Sequence, residues 1–168
     1  MSLGLRLLFL VSTFGAAACA AAHALTFADI AFYPILLLVP LLFVVWPLVI
    51  WQYRRIPRKN LISEIFGSIP RWMKTASIAL LFYAIANLFI ASASLDGGEP
   101  ARLADGRLVL KVKGENRREL TADEFRHAQA LQVRMLTGHL LAFYAIAAFG
   151  LYACWLKSGP AMANAKIR

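Results

Sequence analysis

Residues 121–155, TADEFRHAQALQVRMLTGHLLAFYAIAAFGLYACW, decide the fold of this chain. The stretch opens with a capping box, in which the Thr121 hydroxyl accepts from the Glu124 amide and the Glu124 carboxylate reaches back to the Thr121 amide. No helix breaker follows before Gly138, and a helix tolerates a single glycine. The sequence therefore predicts one long helix over about 122–155, and its second half, 136–155, is apolar enough to cross a membrane.

Three further apolar stretches precede this helix, at about 7–25, 30–51 and 75–94. About 20 residues at roughly 1.5 Å each cross a hydrocarbon core of about 30 Å. A mean hydropathy of +0.63 leaves too few polar residues for the surface of a soluble protein. The apolar runs are continuous, whereas the strands of a membrane barrel alternate. We predict an all-α membrane protein with four transmembrane helices in a single membrane domain.

The net charge of +9 lies entirely on one side of this predicted membrane. Segments 1–6, 52–74 and 157–168 hold ten Lys or Arg and one Glu, whereas the turn at Asp29 and residues 95–135 hold eight basic and eight acidic residues. Basic residues beside spans stay in the cytoplasm, which predicts cytoplasmic termini and contacts with anionic lipid headgroups on that side. Since the excess charge flanks spans and does not cluster on a soluble domain, nucleic acid is excluded as a partner.

The first apolar stretch allows two outcomes. Met1–Ala24 ends in Ala22-His23-Ala24, a small-residue pattern typical of signal-peptide cleavage, which would leave the new N-terminus outside. Nearly 19 apolar residues are also enough for a retained first helix. Both outcomes stay open, and neither changes the orientation of the other spans. Cys19 and Cys154 would lie in opposite leaflets, so no disulfide is expected between them.

The second span and the loop after it each contain a pattern that predicts a local structure. Pro40 and Pro47 each remove a backbone donor, which predicts a kinked helix. The cytoplasmic loop 52–74 has apolar residues at helical spacing, which predicts an amphipathic helix on the membrane surface: Leu61, Ile62, Ile65, Phe66 and Ile69.

Residues 95–135 predict an extracytoplasmic β-hairpin followed by a helix, named here the hairpin–helix element. Asp105-Gly106 is a hairpin signal, and 107–113 alternates apolar and charged side chains as a strand does. Residues 117–120 can pair back, and such short strands need a surface to pack on, which the following helix offers. We expect one packing face along that helix: Phe125, Ala128, Gln132, Met135, Leu136, His139, Phe143, Ile146 and Gly150.

Few side chains within the spans carry chemistry. His139 lies on the expected packing face, either as a neutral imidazole bonded across helices or, with His23 at similar depth, as a ligand of a haem iron or a metal. Asn87 is expected to hydrogen-bond Tyr144, and Tyr83 shares its helix face. Motifs for catalytic residues and metal sites are missing from the sequence. We predict no catalytic residues, no metal site and no resident cofactor.

Three short motifs extend over the last helix: Glu119-Leu120-Thr121-x-x-Glu124-Phe125, Ala130-Leu131-x-x-Arg134-x-x-Thr137-Gly138-His139 and Phe143-Tyr144. Together with the preceding Asp105-Gly106 strand, this region resembles a pattern in uncharacterised small multi-pass bacterial inner-membrane proteins. The resemblance covers roughly 96–144. It implies a bacterial inner membrane and a shared hairpin–helix element, and it implies no activity. Arg134 is expected to lie away from the packing face and to reach lipid headgroups.

The hairpin–helix element also directs the prediction of function, because a capped and folded element outside the membrane exceeds what anchoring requires. We expect a non-enzymatic accessory or scaffold protein that docks a membrane-protein partner, or a second copy of itself, through this element. Two alternatives stay open: a ligand- or cofactor-binding protein centred on His139, and a small transporter that uses the kinked second span. None of the nine Asp and Glu lies within a span, which disfavours the transporter.

Overall fold

The computed structural model describes residues 3–54, 63, 67 and 69–165, with side chains up to residue 156. The long helices of this part of the chain are α1 (Leu3–Leu25), α2 (Leu38–Gln52), α3 (Arg71–Ser94) and α4 (Ala122–Ala165). Short 3-10 turns occupy Thr26–Ala28 and Tyr33–Leu37. An antiparallel sheet lies between α3 and α4 in sequence, in the order β1 (Glu99–Arg102), β2 (Leu108–Val112), β3 (Glu115–Glu119). The mostly helical fold with a small sheet and a long final helix is confirmed.

Four helical segments are long and apolar enough to cross a membrane. They are Leu3–Ala28, Tyr33–Gln52, Arg71–Ser94 and Ala122–Leu156. The first three match the expected apolar stretches to within a few residues. Large apolar side chains stay exposed along α3, as suits a helix surrounded by lipid: Ile78, Leu81, Phe82, Ile85, Phe89 and Ile90.

Helix α4 is the most buried of the four, and its buried stripe is not the one expected from the sequence. Residues at alternating spacings of three and four are almost fully buried: Ala130, Val133, Thr137, Leu140, Tyr144, Ala147 and Leu151. At about 100° per residue, His139 lies about 160° around the helix from Thr137. Phe143 is 43% exposed. The expected packing face is therefore wrong at His139 and Phe143, although its last member, Gly150, is buried. The buried stripe combines alanines with Leu140, Tyr144 and Leu151, so residue size alone does not mark it.

The chain divides into two compact units. The first unit comprises Met1–Ala17, Leu37–Leu80 and Leu140–Arg168, and the second comprises Ala18–Leu36 and Leu81–His139.

In the first unit, Tyr144 joins three helical segments. Its ring is fully buried and packs on Gly15 of α1, where an added Cβ would lie 2.6 Å from the ring. Its hydroxyl donates to the Leu38 carbonyl at 2.7 Å, in place of the expected bond with Asn87. The Tyr53 hydroxyl likewise donates to the Gly150 carbonyl. These bonds attach both ends of α2 to α4.

Two further predictions concern this region, a kinked α2 and an amphipathic helix in the loop after it. Pro40 lies in the first turn of α2, directly after the 3-10 turn Tyr33–Leu37, and the kink expected there stays a prediction. Pro47 lies inside the helix, as predicted. The amphipathic helix expected over 52–74 lies largely outside the described residues.

In the second unit, the sheet packs on the first turns of α4 as predicted. The core of the hairpin–helix element is apolar: Leu95, Leu110, Leu120, Ala128 and Leu131, flanked by Leu108 and Phe125. The capping box is present, since Thr121 N donates to Glu124 Oε2 at 2.8 Å and Glu124 N donates to Thr121 Oγ1 at 3.2 Å. Helix α4 therefore begins where the sequence predicted.

Strand β1 was not expected from the sequence. It pairs with β2 along its whole length, from Glu99 with Lys111 to Arg102 with Leu108. The Asp105-Gly106 turn joins β1 to β2, with Gly106 at φ 89° and the Arg107 amide donating to Asp105 Oδ1 at 3.1 Å. This amide, and then the Arg107 guanidinium, lower the pKa of Asp105. The ionised carboxylate therefore supports the turn at neutral pH, and this support is lost as the pH falls through that lowered pKa.

The contact between Gly15 and Tyr144 predicts a position-specific effect of alanine in α1. Gly15→Ala should lower the free energy of unfolding by about 1–3 kcal/mol, because the buried ring is fixed by its bond to Leu38 and cannot move aside. Gly4→Ala is the matched control, since nothing lies within 4 Å of an added Cβ there. That variant should be neutral or up to about 1 kcal/mol more stable. Thermal unfolding in detergent micelles measures both, and equal effects would contradict the close approach.

Candidate functional site

A cluster of polar side chains lies in the second unit, where the end of α1 meets α4. Its members, named here the polar cluster, come from four segments of the chain: His23, Thr26, Tyr83, Asn87, Arg134 and Thr137. Four members of the cluster are buried within apolar helices or at helix ends: His23, Thr26, Asn87 and Thr137. Buried polar groups cost free energy unless they are hydrogen-bonded, and each of these has a partner.

His23 is bonded through both ring nitrogens. Its Nδ1 lies 2.9 Å from Thr137 Oγ1, and its Nε2 bonds the Tyr83 hydroxyl. The Thr137 hydroxyl donates to a backbone carbonyl of α4, with Val133 O at 2.8 Å, so it must accept from His23 Nδ1–H. Nε2 then carries the lone pair and accepts from Tyr83. The network therefore assigns a neutral imidazole protonated at Nδ1.

Arg134 is held at the end of α1. Its Nε donates to Thr26 Oγ1 at 3.0 Å and its Nη2 donates to Thr26 O at 2.7 Å. Its guanidinium carbon lies 4.1 Å from the centre of the Phe27 ring. The Thr26 hydroxyl in turn donates to the His23 carbonyl at 2.6 Å. Protein acceptors therefore fix the position of Arg134, and its contact with lipid headgroups stays a prediction.

Asn87 also bonds α4, through a backbone atom. Its Nδ2 donates to the Arg134 carbonyl at 2.9 Å. This approach requires Gly138, because an added Cβ there would lie 2.7 Å from Asn87 Nδ2. The sequence identified Asn87 correctly as a buried polar residue but assigned it the wrong partner, Tyr144.

His139, the strongest candidate from the sequence, lies outside the polar cluster. Its Nδ1 donates to the Met135 carbonyl of its own helix at 2.8 Å, not across to another helix. A haem or metal held by His23 and His139 would first require His23 to break a bond to Thr137 or Tyr83. Among the described residues, no group of three or more His, Cys, Asp and Glu could hold a metal ion. Of the predicted residues, the structure brings together His23, Tyr83 and Asn87.

Three members of the polar cluster were not expected from the sequence to bond other helices: Thr26, Arg134 and Thr137. A further contact lies beyond them, where exposed His127 Nδ1 donates to Asp29 Oδ1 at 2.7 Å. His127 and Arg134 are seven residues apart and so lie on one side of α4. The sequence did contain one indication of this contact, because polar residues recur along α4 at 127, 134 and 137. Their partners lie about 100 residues away in sequence, where spacing carries no information.

No family model, curated protein or solved structure matches this chain. The resemblance to small multi-pass bacterial inner-membrane proteins therefore stays a prediction.

The bonds of His23 predict different roles for the two membrane histidines. His23→Ala should cost about 2–3 kcal/mol of unfolding free energy, because it leaves the Tyr83 and Thr137 hydroxyls without their partner. His139→Ala is the matched control and should cost about 1 kcal/mol or less, since it removes one bond within a single helix. Thermal unfolding in micelles distinguishes the two, and a larger loss for the His139 variant would contradict the assignment.

The same bonds predict that Met1–Ala24 is retained. Cleavage after Ala24 would remove His23 from the polar cluster and leave buried Thr137 with one partner fewer. Protein purified from membranes through a C-terminal tag should have the intact mass of the uncleaved chain. A mass that corresponds to a chain starting at Leu25 would contradict the prediction.

Proposed function

We propose that this chain is a non-enzymatic multi-pass protein of a bacterial inner membrane, and that it docks another membrane protein through its hairpin–helix element. The charge asymmetry supports an extracytoplasmic position for this element. The observation that carries the proposal is strand β3, the outermost strand of the sheet on one edge.

Strand β3 is ordered although none of its side chains is buried. All five of its residues are exposed, whereas Val109 and Leu110 of the neighbouring β2 are buried. Ordering a residue costs about 1–2 kcal/mol of backbone entropy, which burial normally offsets. Its outer edge carries backbone groups that can pair with an added strand. A partner strand would supply the interactions that the chain itself does not.

The charges of β3 indicate a polar partner with both signs of charge. Arg118 bonds Glu124 at 2.7 Å and Glu119 bonds Arg107 at 2.9 Å, so these ion pairs brace the strand on α4 and β2. Glu115 and Arg117 line a cavity of about 630 Å³ at the β2–β3 turn, together with Asp96, Val112, Lys113 and Asn116. This turn offers a partner both an acidic and a basic contact.

The alternatives receive less support. A ligand protein centred on His139 would place Tyr83, Asn87 and Tyr144 around a pocket, whereas the hydroxyl of Tyr83 and the amide of Asn87 bond protein atoms. A transporter would use a flexible second helix, whereas both ends of α2 are bonded to α4.

Site-specific photo-crosslinking in native membranes tests the proposal. A photoreactive amino acid at Asn116, on β3, should form a discrete adduct with another membrane protein. The same amino acid at Arg126 is the control, because Arg126 is exposed on α4 and away from β3. A partner adduct at position 126 and none at 116 would contradict docking through β3, and an adduct of twice the chain mass would identify the partner as a second copy.

A further inference from the structure

We propose that Arg134 forms a binding site for the phosphate group of an anionic phospholipid, on the side of the membrane that holds the hairpin–helix element. The site consists of Arg134, Thr26 and Phe27. It is independent of the docking function proposed for β3.

The guanidinium of Arg134 is oriented before any ligand binds. Thr26 accepts from two of its nitrogens, and Phe27 covers one of its faces at 4.1 Å. Thr26 is itself fully buried and bonded to the His23 carbonyl, so it cannot follow a moving side chain. A fixed guanidinium loses less rotamer entropy on binding than a free arginine side chain.

The charge of Arg134 has no acidic counterpart. Arg134 takes part in none of the ion pairs formed by the described residues. Thr26 accepts one N–H from Nε and one from Nη2, and the other three N–H groups of the guanidinium have no acceptor within the described part of the chain. A half-buried cation beside apolar surface is costly unless it is paired. The two free oxygens of a phosphodiester match adjacent guanidinium N–H groups.

The surroundings indicate a lipid and not a soluble anion. The segment between α1 and α2 exposes large apolar side chains around the site: Leu25, Phe27, Ile30 and Phe32, with Phe27 65% exposed. Such a segment suits the boundary between acyl chains and headgroups. A phosphate at this depth belongs to a lipid.

The distribution of net charge over the two sides of the chain distinguishes binding at Arg134 from general attraction of anionic lipids. The side of the chain that holds the hairpin–helix element carries no net charge, whereas the opposite side carries +9. A general electrostatic attraction therefore acts on the opposite side only, and binding here depends on Arg134 itself.

The test measures lipid bound to full-length protein by native mass spectrometry, after reconstitution in nanodiscs of phosphatidylglycerol and phosphatidylcholine. Arg134→Gln should weaken the tightest-bound phosphatidylglycerol about ten-fold or more, since bonds to charged groups contribute about 1.5–3 kcal/mol. The weaker, general binding to the +9 side should stay. Arg126→Gln is the charge-matched control, because Arg126 is exposed on the same helix and pairs with Asp123. It should leave binding unchanged.

A second pair of variants keeps the fold intact. Phe27→Leu should weaken phosphatidylglycerol binding about three-fold, because it removes the aromatic face under the guanidinium. Phe32→Leu, a control in the same exposed segment, should have no effect. Equal losses in the two arginine variants, or in the two phenylalanine variants, would overturn the site. Inorganic phosphate that displaced the lipid at millimolar concentration would overturn the assignment to a lipid.

Discussion

The bonds between Arg134 and Thr26 are the constraint on which the second unit depends. They stop α1 at a defined residue and hold the turn that follows it. His23 is then placed for both of its ring bonds, and Asp29 is placed for its bond to His127. A charged group tolerates displacement poorly in an apolar setting, because the alternative is a cation without hydrogen-bond acceptors. Arg134 therefore positions the contact between the end of α1 and α4.

Helix α4 serves both parts of the chain in different ways. In the hairpin–helix element its apolar side chains carry the sheet, and further along it buries small residues against its neighbours. The polar cluster lies at the change between these two modes of packing. There Gly138 admits Asn87, and Thr137 meets His23. Function is proposed at the exposed strand and at Arg134, and Arg134 also belongs to the polar cluster, which holds the helix ends in place.

Local features of the fold were predictable from the sequence, and distant pairings were not. The start of α4 and the Asp105-Gly106 turn depend on residues within four positions of one another. Strand β1 was missed because it contains Pro100 and follows two glycines, while its pairing depends on β2. His139 was favoured over His23 because it lies on the expected packing face of α4. The buried stripe runs instead through Thr137, whose partner His23 lies in a distant helix.

The separation of His23 from Thr137 has a consequence for biosynthesis. These residues lie 114 positions apart, so α1 is synthesised well before Thr137. At about 5–20 residues per second, the interval is on the order of 10 s. For the first 60 residues of this interval the imidazole has neither of the side chains that later satisfy it, and Thr137 is added last. Burying His23 before both partners exist would cost free energy, so its place in the fold is completed only when α4 has been made.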